Sequence, residues 1–137
     1  MALWSPVADT LYYRKGADIY EWTPDGGNRR ILDSVPWLYP TITPDGRHLA
    51  YVLETADHRH DVYLATMSNL ADATRIARYR TNPVFLNDRQ LWYQTVGGGC
   101  GGSEAPRPRV YDIRTGDEAG SILAAVHTIW PGTSSNH

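Results

Sequence analysis

The sequence predicts an all-β fold: a β-propeller made of four-stranded antiparallel blades, about three of them in the chain. Three observations carry that expectation. A turn followed by an apolar-aromatic strand is written three times, as Trp4-Ser5-Pro6 before Leu11-Tyr12-Tyr13, Ile42-Thr43-Pro44-Asp45-Gly46 before Leu49-Ala50-Tyr51, and Phe85-Leu86-Asn87-Asp88 before Leu91-Trp92-Tyr93. Measured at the shared leucine, the spacings are 38 and 42 residues, the period of a four-stranded blade repeat. A second landmark, a β-branched residue followed by Tyr, keeps the same rhythm at Ile19-Tyr20, Val62-Tyr63 and Val110-Tyr111. Finally, nine Pro and twelve Gly punctuate the chain at close intervals and helix-period apolar runs are missing, as many short strands require.

The elements follow in order. The innermost strand of each unit is the stub ending at Trp4, then residues 39–43, then 83–86. The second strand carries the Leu-x-Tyr phrase. The third covers residues 18–23, 61–66 and 109–113, each followed by a turn rich in Gly, Asp, Asn or Thr. A weaker outer strand closes each unit at 28–32, 74–78 and 119–123. Blade one is thus expected over about 2–32, blade two over 39–78 and blade three over 83–123, as a single domain spanning 1–137. A fourth copy of the inner strand follows at Val126, His127, Thr128, Ile129 and Trp130, whose Trp130-Pro131 resembles the start of the chain.

Three blades do not close a ring, and propellers close because closure leaves only short, protected strand edges. Either the chain is a fragment of a longer propeller or several chains complete the ring. The spare strand 126–130 is expected to serve as an assembly strand in a homodimer of six blades in all.

Bulk properties bound the function. The 137 residues are 42% hydrophobic with five Trp and nine Tyr against one Phe, a composition for packed strands with hydrated aromatic tips. A net charge of −2 supplies no pull toward nucleic acid, and the local arginines at 75, 78, 80, 107 and 109 read as solvated strand edges. One cysteine, Cys100, excludes an intrachain disulfide. No export signal and no membrane-inserting run is read in the chain, and the compartment stays open.

Thr43-Pro44-Asp45-Gly46-Arg47-His48-Leu49-Ala50-Tyr51, followed by Asp61-Val62-Tyr63, resembles the repeat signature of TolB-like β-propellers, a bacterial family whose members are often extracytoplasmic. The resemblance implies a six-bladed scaffold that binds proteins, peptides or other ligands on one face of the disc, and it implies no reaction and no cofactor.

Candidate chemistry is sparse. His58 and His60, at i and i+2 on a segment expected to be extended, form a candidate metal pair without an identifiable third ligand, so the plainer reading is a polar loop. The glycine-rich stretch 97–103 lacks the Gly-Lys-Ser/Thr ending of a phosphate loop and reads as a long hairpin connection. No nucleophile elbow occurs. Asp45, Asp88 and Asp117 are assigned to turns. Partner contacts in propellers come from the connections between outer and next inner strands and between second and third strands, here 35–38, 55–60, 78–82 and 94–107. Trp37 and Arg80 are the residue types in these segments that dominate interfaces, although Trp37 equally suits a wedge between blades. The expectation is a non-catalytic binding scaffold. The alternatives are a gating propeller of a hydrolase or peptidase, or a metal-binding module on His58 and His60.

Overall fold

The computed structural model describes residues 2–96 and 105–120. The expected assembly strand 126–130, the glycine-rich stretch 97–103 and the end of the last outer strand, 121–123, lie outside the described residues. The twelve strands among the described residues are β1 (Ala2–Trp4), β2 (Leu11–Lys15), β3 (Asp18–Thr23), β4 (Gly27–Leu32), β5 (Leu38–Ile42), β6 (His48–Glu54), β7 (His60–Thr66), β8 (Asn69–Arg78), β9 (Arg80–Phe85), β10 (Gln90–Thr95), β11 (Pro108–Asp112) and β12 (Glu118–Ala119). They form three four-stranded sheets, β1-β2-β3-β4, β5-β6-β7-β8 and β9-β10-β11-β12, each a run of consecutive antiparallel neighbours. The architecture is a partial propeller of three blades.

Cross-strand register assigns each side chain to a blade face, because directly opposed residues point the same way. In blade one, Leu11 opposes Trp22 and Tyr13 opposes Tyr20, while Tyr12 and Ile19 lie on the other side. In blade two, Leu49 and Tyr51 oppose Ala65 and Tyr63, while Ala50 and Val52 oppose Leu64 and Val62. The two sides do different jobs. Leu49 and Tyr51 pack back onto Tyr12, Ile19 and Leu32 of blade one, and Ala50, Val52 and Val62 pack forward onto Phe85, Leu91 and Tyr93 of blade three. Full burial of such an aliphatic side chain contributes about 1.5–3 kcal/mol, so these two interblade layers are the core. Tyrosine rings stack along the backward face, Tyr13 on Tyr20 at 5.5 Å and Tyr51 on Tyr63 at 5.8 Å between centroids.

Proline shapes the inner strands. Pro40 and Pro83 cannot donate to the ladder, and the register slips there: Leu38 pairs with Val52 but Thr41 with Ala50, and Thr81 pairs with Gln94 but Val84 with Trp92. The residues just before them, Tyr39 (φ 49°) and Asn82 (φ 54°), turn left-handed to make these bulges. The strands therefore begin earlier than the proline pattern suggests, at Leu38 and Arg80. The outer strand of blade two also runs longer than expected, from Asn69, because the pairing slips between Leu64 and Thr66 and takes up the extra residues around Leu70 and Ala73, which pack on the core.

Aspartates secure the blade exits. Asp18 Oδ1 accepts the Ser34 N–H at 3.0 Å, and Asp61 Oδ1 accepts the Tyr79 N–H at 3.0 Å. Ser34 and Tyr79 both lie after the outer strand at positive φ, 57° and 56°. That hydrogen bond holds Asp18 below the usual carboxylate range. In blade three the residue before the Val110-Tyr111 pair is Arg109, which opposes Tyr93 and lies 3.5 Å from Glu118.

Candidate functional site

Alternating hairpins place the β1–β2 and β3–β4 type turns on one face of the blade stack and the remaining connections on the other. The turn face is tied across blades: Val7 lies against Gly46, whose φ of 73° and lack of a Cβ allow the approach, and the Asp45 N–H donates to Asp88 Oδ1 at 2.8 Å. Within the Pro44-Asp45-Gly46 turn, Asp45 Oδ1 accepts from the Thr43 hydroxyl at 2.6 Å and from the Arg47 N–H at 2.9 Å. The Thr43 hydroxyl is the main cause that lowers the Asp45 pKa. Asp88 and Asp117 do not play this part in their own turns. Asn87 accepts the Arg89 and Gln90 N–H groups, and Asp112 accepts those of Arg114 and Thr115. Asp88 reaches the neighbouring blade instead.

The opposite face carries the candidate site. A cleft of about 510 Å³ between blades one and two is lined by Arg14, Pro36, Leu38, Leu53, Glu54, Thr55, Ala56 and His58. Two segments nominated from the sequence, 35–38 and 55–60, meet there. Pro36, Leu38, Leu53 and Ala56 give it apolar walls, and Arg14 is held by donating to the Trp37 carbonyl at 3.1 Å. His58 Nδ1 lies 3.0 Å from Glu54 Oε1. The loop is braced by Thr55 donating to Asp57, which lowers the Asp57 pKa, and by the Arg59 N–H donating to Thr55 Oγ1 at 2.9 Å.

The nominated residues fall in different places. His58 is at the cleft but left-handed, φ 61°, so the alternation that would aim it alongside His60 does not apply. His60 Nδ1 lies 2.7 Å from Thr81 Oγ1 of blade three, and its ring is 6.0 Å from Tyr39. No group of three or more His, Cys, Asp or Glu side chains able to hold a metal ion occurs among the described residues. Trp37 takes the wedge position, 1% exposed in the layer between blades one and two. Arg80 donates to Glu118 Oε1 at 3.0 Å, while the Tyr93 hydroxyl donates to the other carboxylate oxygen at 2.5 Å. Burial first, then Glu118, pushes the Tyr93 pKa up. Arg75 lies 3.5 Å from Asp61, and Arg59 sits over the Tyr79 ring at 4.5 Å. Sequence reasoning missed Arg14 and Glu54, which lie on strands rather than in the nominated connections.

Fold and site together define a β-propeller module with a cleft on its connection face. The chain is similar to TolB from Acinetobacter baumannii, with a TM-score of 0.68 at 17% identity over 87% of this chain and 31% of that one. It also matches the β-propeller domain of the trilobed protease from Pyrococcus furiosus, TM-score 0.56 at 16% identity over 80% of this chain and 36% of that one. A third similar structure is the acylaminoacyl peptidase of Pyrococcus horikoshii, TM-score 0.52 at 15% identity over 82% of this chain and 23% of that one. The chain spans about a third or less of the lengths of TolB and the peptidase. No protein-family model and no curated protein matches the sequence.

Proposed function

We propose that the chain is a non-catalytic propeller scaffold that binds a protein or peptide segment in the cleft between blades one and two, and that a second copy completes its ring. The observation that carries the binding reading is the cleft itself: apolar walls with Arg14, Glu54 and His58 at its edge suit an extended peptide that inserts one apolar side chain. Peptides selected from a random display library on the purified chain test this by calorimetry. Binding is expected to be lost in Ala56→Trp, which fills the cleft from an exposed loop position. Peptides that bind the filled variant as well as the original, or a library that yields none, overturn the reading.

The likeness to propellers of peptidases favours a second reading, in which the module gates a hydrolase or peptidase carried elsewhere. Under it, the cleft-filling variant alters substrate selection by the catalytic partner rather than peptide affinity. A metal-binding role for His58 and His60 is tested by metal analysis of untagged protein, where one equivalent of zinc would support it and none would remove it.

A further inference from the structure

Resting on the reading that the cleft binds a peptide, we infer that the segment it takes carries a carboxylate beside the apolar side chain it inserts, and that Arg14 receives that carboxylate. Arg14 departs from the packing of the repeat. Opposite Ile19 and three residues after the shared leucine, it is the counterpart of Val52 opposite Val62. Val52 is fully buried and packs forward onto blade three, whereas Arg14, on the same side of blade one, borders the cleft. The connection out of blade one departs as well. From Ser34 to Tyr39 it is two residues longer than its counterpart from Tyr79 to Asn82, and the longer stretch contains Pro36 and Trp37. Both departures meet at one joint, and beside them lies the space of about 510 Å³. A sequence breaks its own packing pattern chiefly where a site needs the exception.

The guanidinium is held so that its binding edge stays open. Nη1 donates to the Trp37 carbonyl at 3.1 Å and reaches the Pro36 carbonyl at 3.5 Å, which leaves the parallel N–H groups on Nε and Nη2 without a partner among the described residues. Those two donors match the two oxygens of one carboxylate. Among the described residues Arg14 has no ion-pair partner. Glu54, the acid on the cleft wall, is met at the rim by His58 Nδ1 at 3.0 Å. Pro36, Leu38 and Leu53 supply the apolar wall beside Arg14. A segment with an apolar side chain next to a carboxylate satisfies both parts of the cleft. The carboxylate is either the C-terminus of the segment or an Asp or Glu side chain, and each presents the same pair of oxygens.

Calorimetry on the full chain, on Arg14→Gln and on Arg14→Lys tests this with peptides selected from a random library displayed with free C-termini. Each selected peptide is measured in three forms: as selected, with its Asp and Glu changed to Asn and Gln, and with its C-terminus amidated. One of the two neutralised forms is expected to bind the unmodified chain at least about 10-fold more weakly, the loss of a charge-assisted pair, and which one does so identifies the source of the carboxylate. On Arg14→Gln the selected and neutralised forms should bind alike, and Arg14→Lys, which keeps the charge without the fork, should show only part of the difference. Gln suits the position, because blade three carries Gln94 three residues after its own leucine, and unchanged far-UV circular dichroism checks the fold of both variants. Neutralised forms that bind the unmodified chain as tightly as the selected peptide overturn the carboxylate while leaving peptide binding standing. A full difference that persists in both variants gives the carboxylate to another group and overturns the role of Arg14. A library that yields no binders removes the peptide-binding reading itself.

Discussion

Replacing Trp37 separates its packing from its hydrogen-bonding capacity. Its indole is 1% exposed, fills the layer among Tyr12, Ile19, Leu32, Leu49 and Tyr51, and lies 6.0 Å from the Tyr51 ring. Trp37→Ala empties that layer, and deletions of this kind cost about 3–5 kcal/mol. A domain of this size is stable by about 5–15 kcal/mol, so the variant should lose a large part of its margin. Trp37→Phe is expected to behave differently. Among the described residues the indole Nε1 is buried without a hydrogen-bond partner, and such an unmet donor costs about 1–3 kcal/mol. Phe keeps much of the ring and removes that donor, so the net change should stay within about 1 kcal/mol. Urea unfolding followed by circular dichroism reads both values. A Phe variant as damaged as the Ala variant would show that Nε1 does have a partner, and an Ala variant within about 1 kcal/mol of the parent would show that Trp37 is not the wedge of this joint.

Gly46→Ala meets two penalties: a left-handed backbone, costing about 1–2 kcal/mol, and a Cβ placed 2.5 Å from Val7 Cγ2. Adding Val7→Ala should recover the second penalty and leave the first, so a double-mutant cycle with no coupling would refute the contact between the turns. At high pH, burial raises the Tyr51 phenol to about 12, above its unfolded value near 10. The associated stability is fully present below about pH 10 and is lost as pH rises through 12. Tyr51→Phe should therefore flatten the alkaline fall of the urea midpoint, and an equally steep fall in the variant would contradict the assignment.

Much of the fold was legible because it is local. Alternation around Leu11, Leu49 and Leu91 and the punctuating turns announced the strands, and the leucine spacing announced the blades. What escaped was set by irregular pairing. Pro83 read as the start of a strand, whereas the bulge at Asn82 lets the strand begin at Arg80. Asp88 and Asp117 looked like turn residues, but Asn87 and Asp112 were better placed to accept the turn amides. The cleft was half legible: its connections followed from propeller geometry, but Arg14 and Glu54 carry no signal until two blades are set side by side.

The sequence by itself determined that this chain is three blades of a propeller, because the repeat period and strand alternation are properties of neighbouring residues. Only the tertiary structure decided which side chains are free to meet another molecule. Trp37, a candidate anchor by residue type, is sealed between blades, and Arg80 is held by Glu118, 38 residues away. Trp4 and Val84, by contrast, stand exposed at the inner strands of blades one and three. Burial and pairing depend on which faces the blades turn to one another, and that is fixed by packing across the chain.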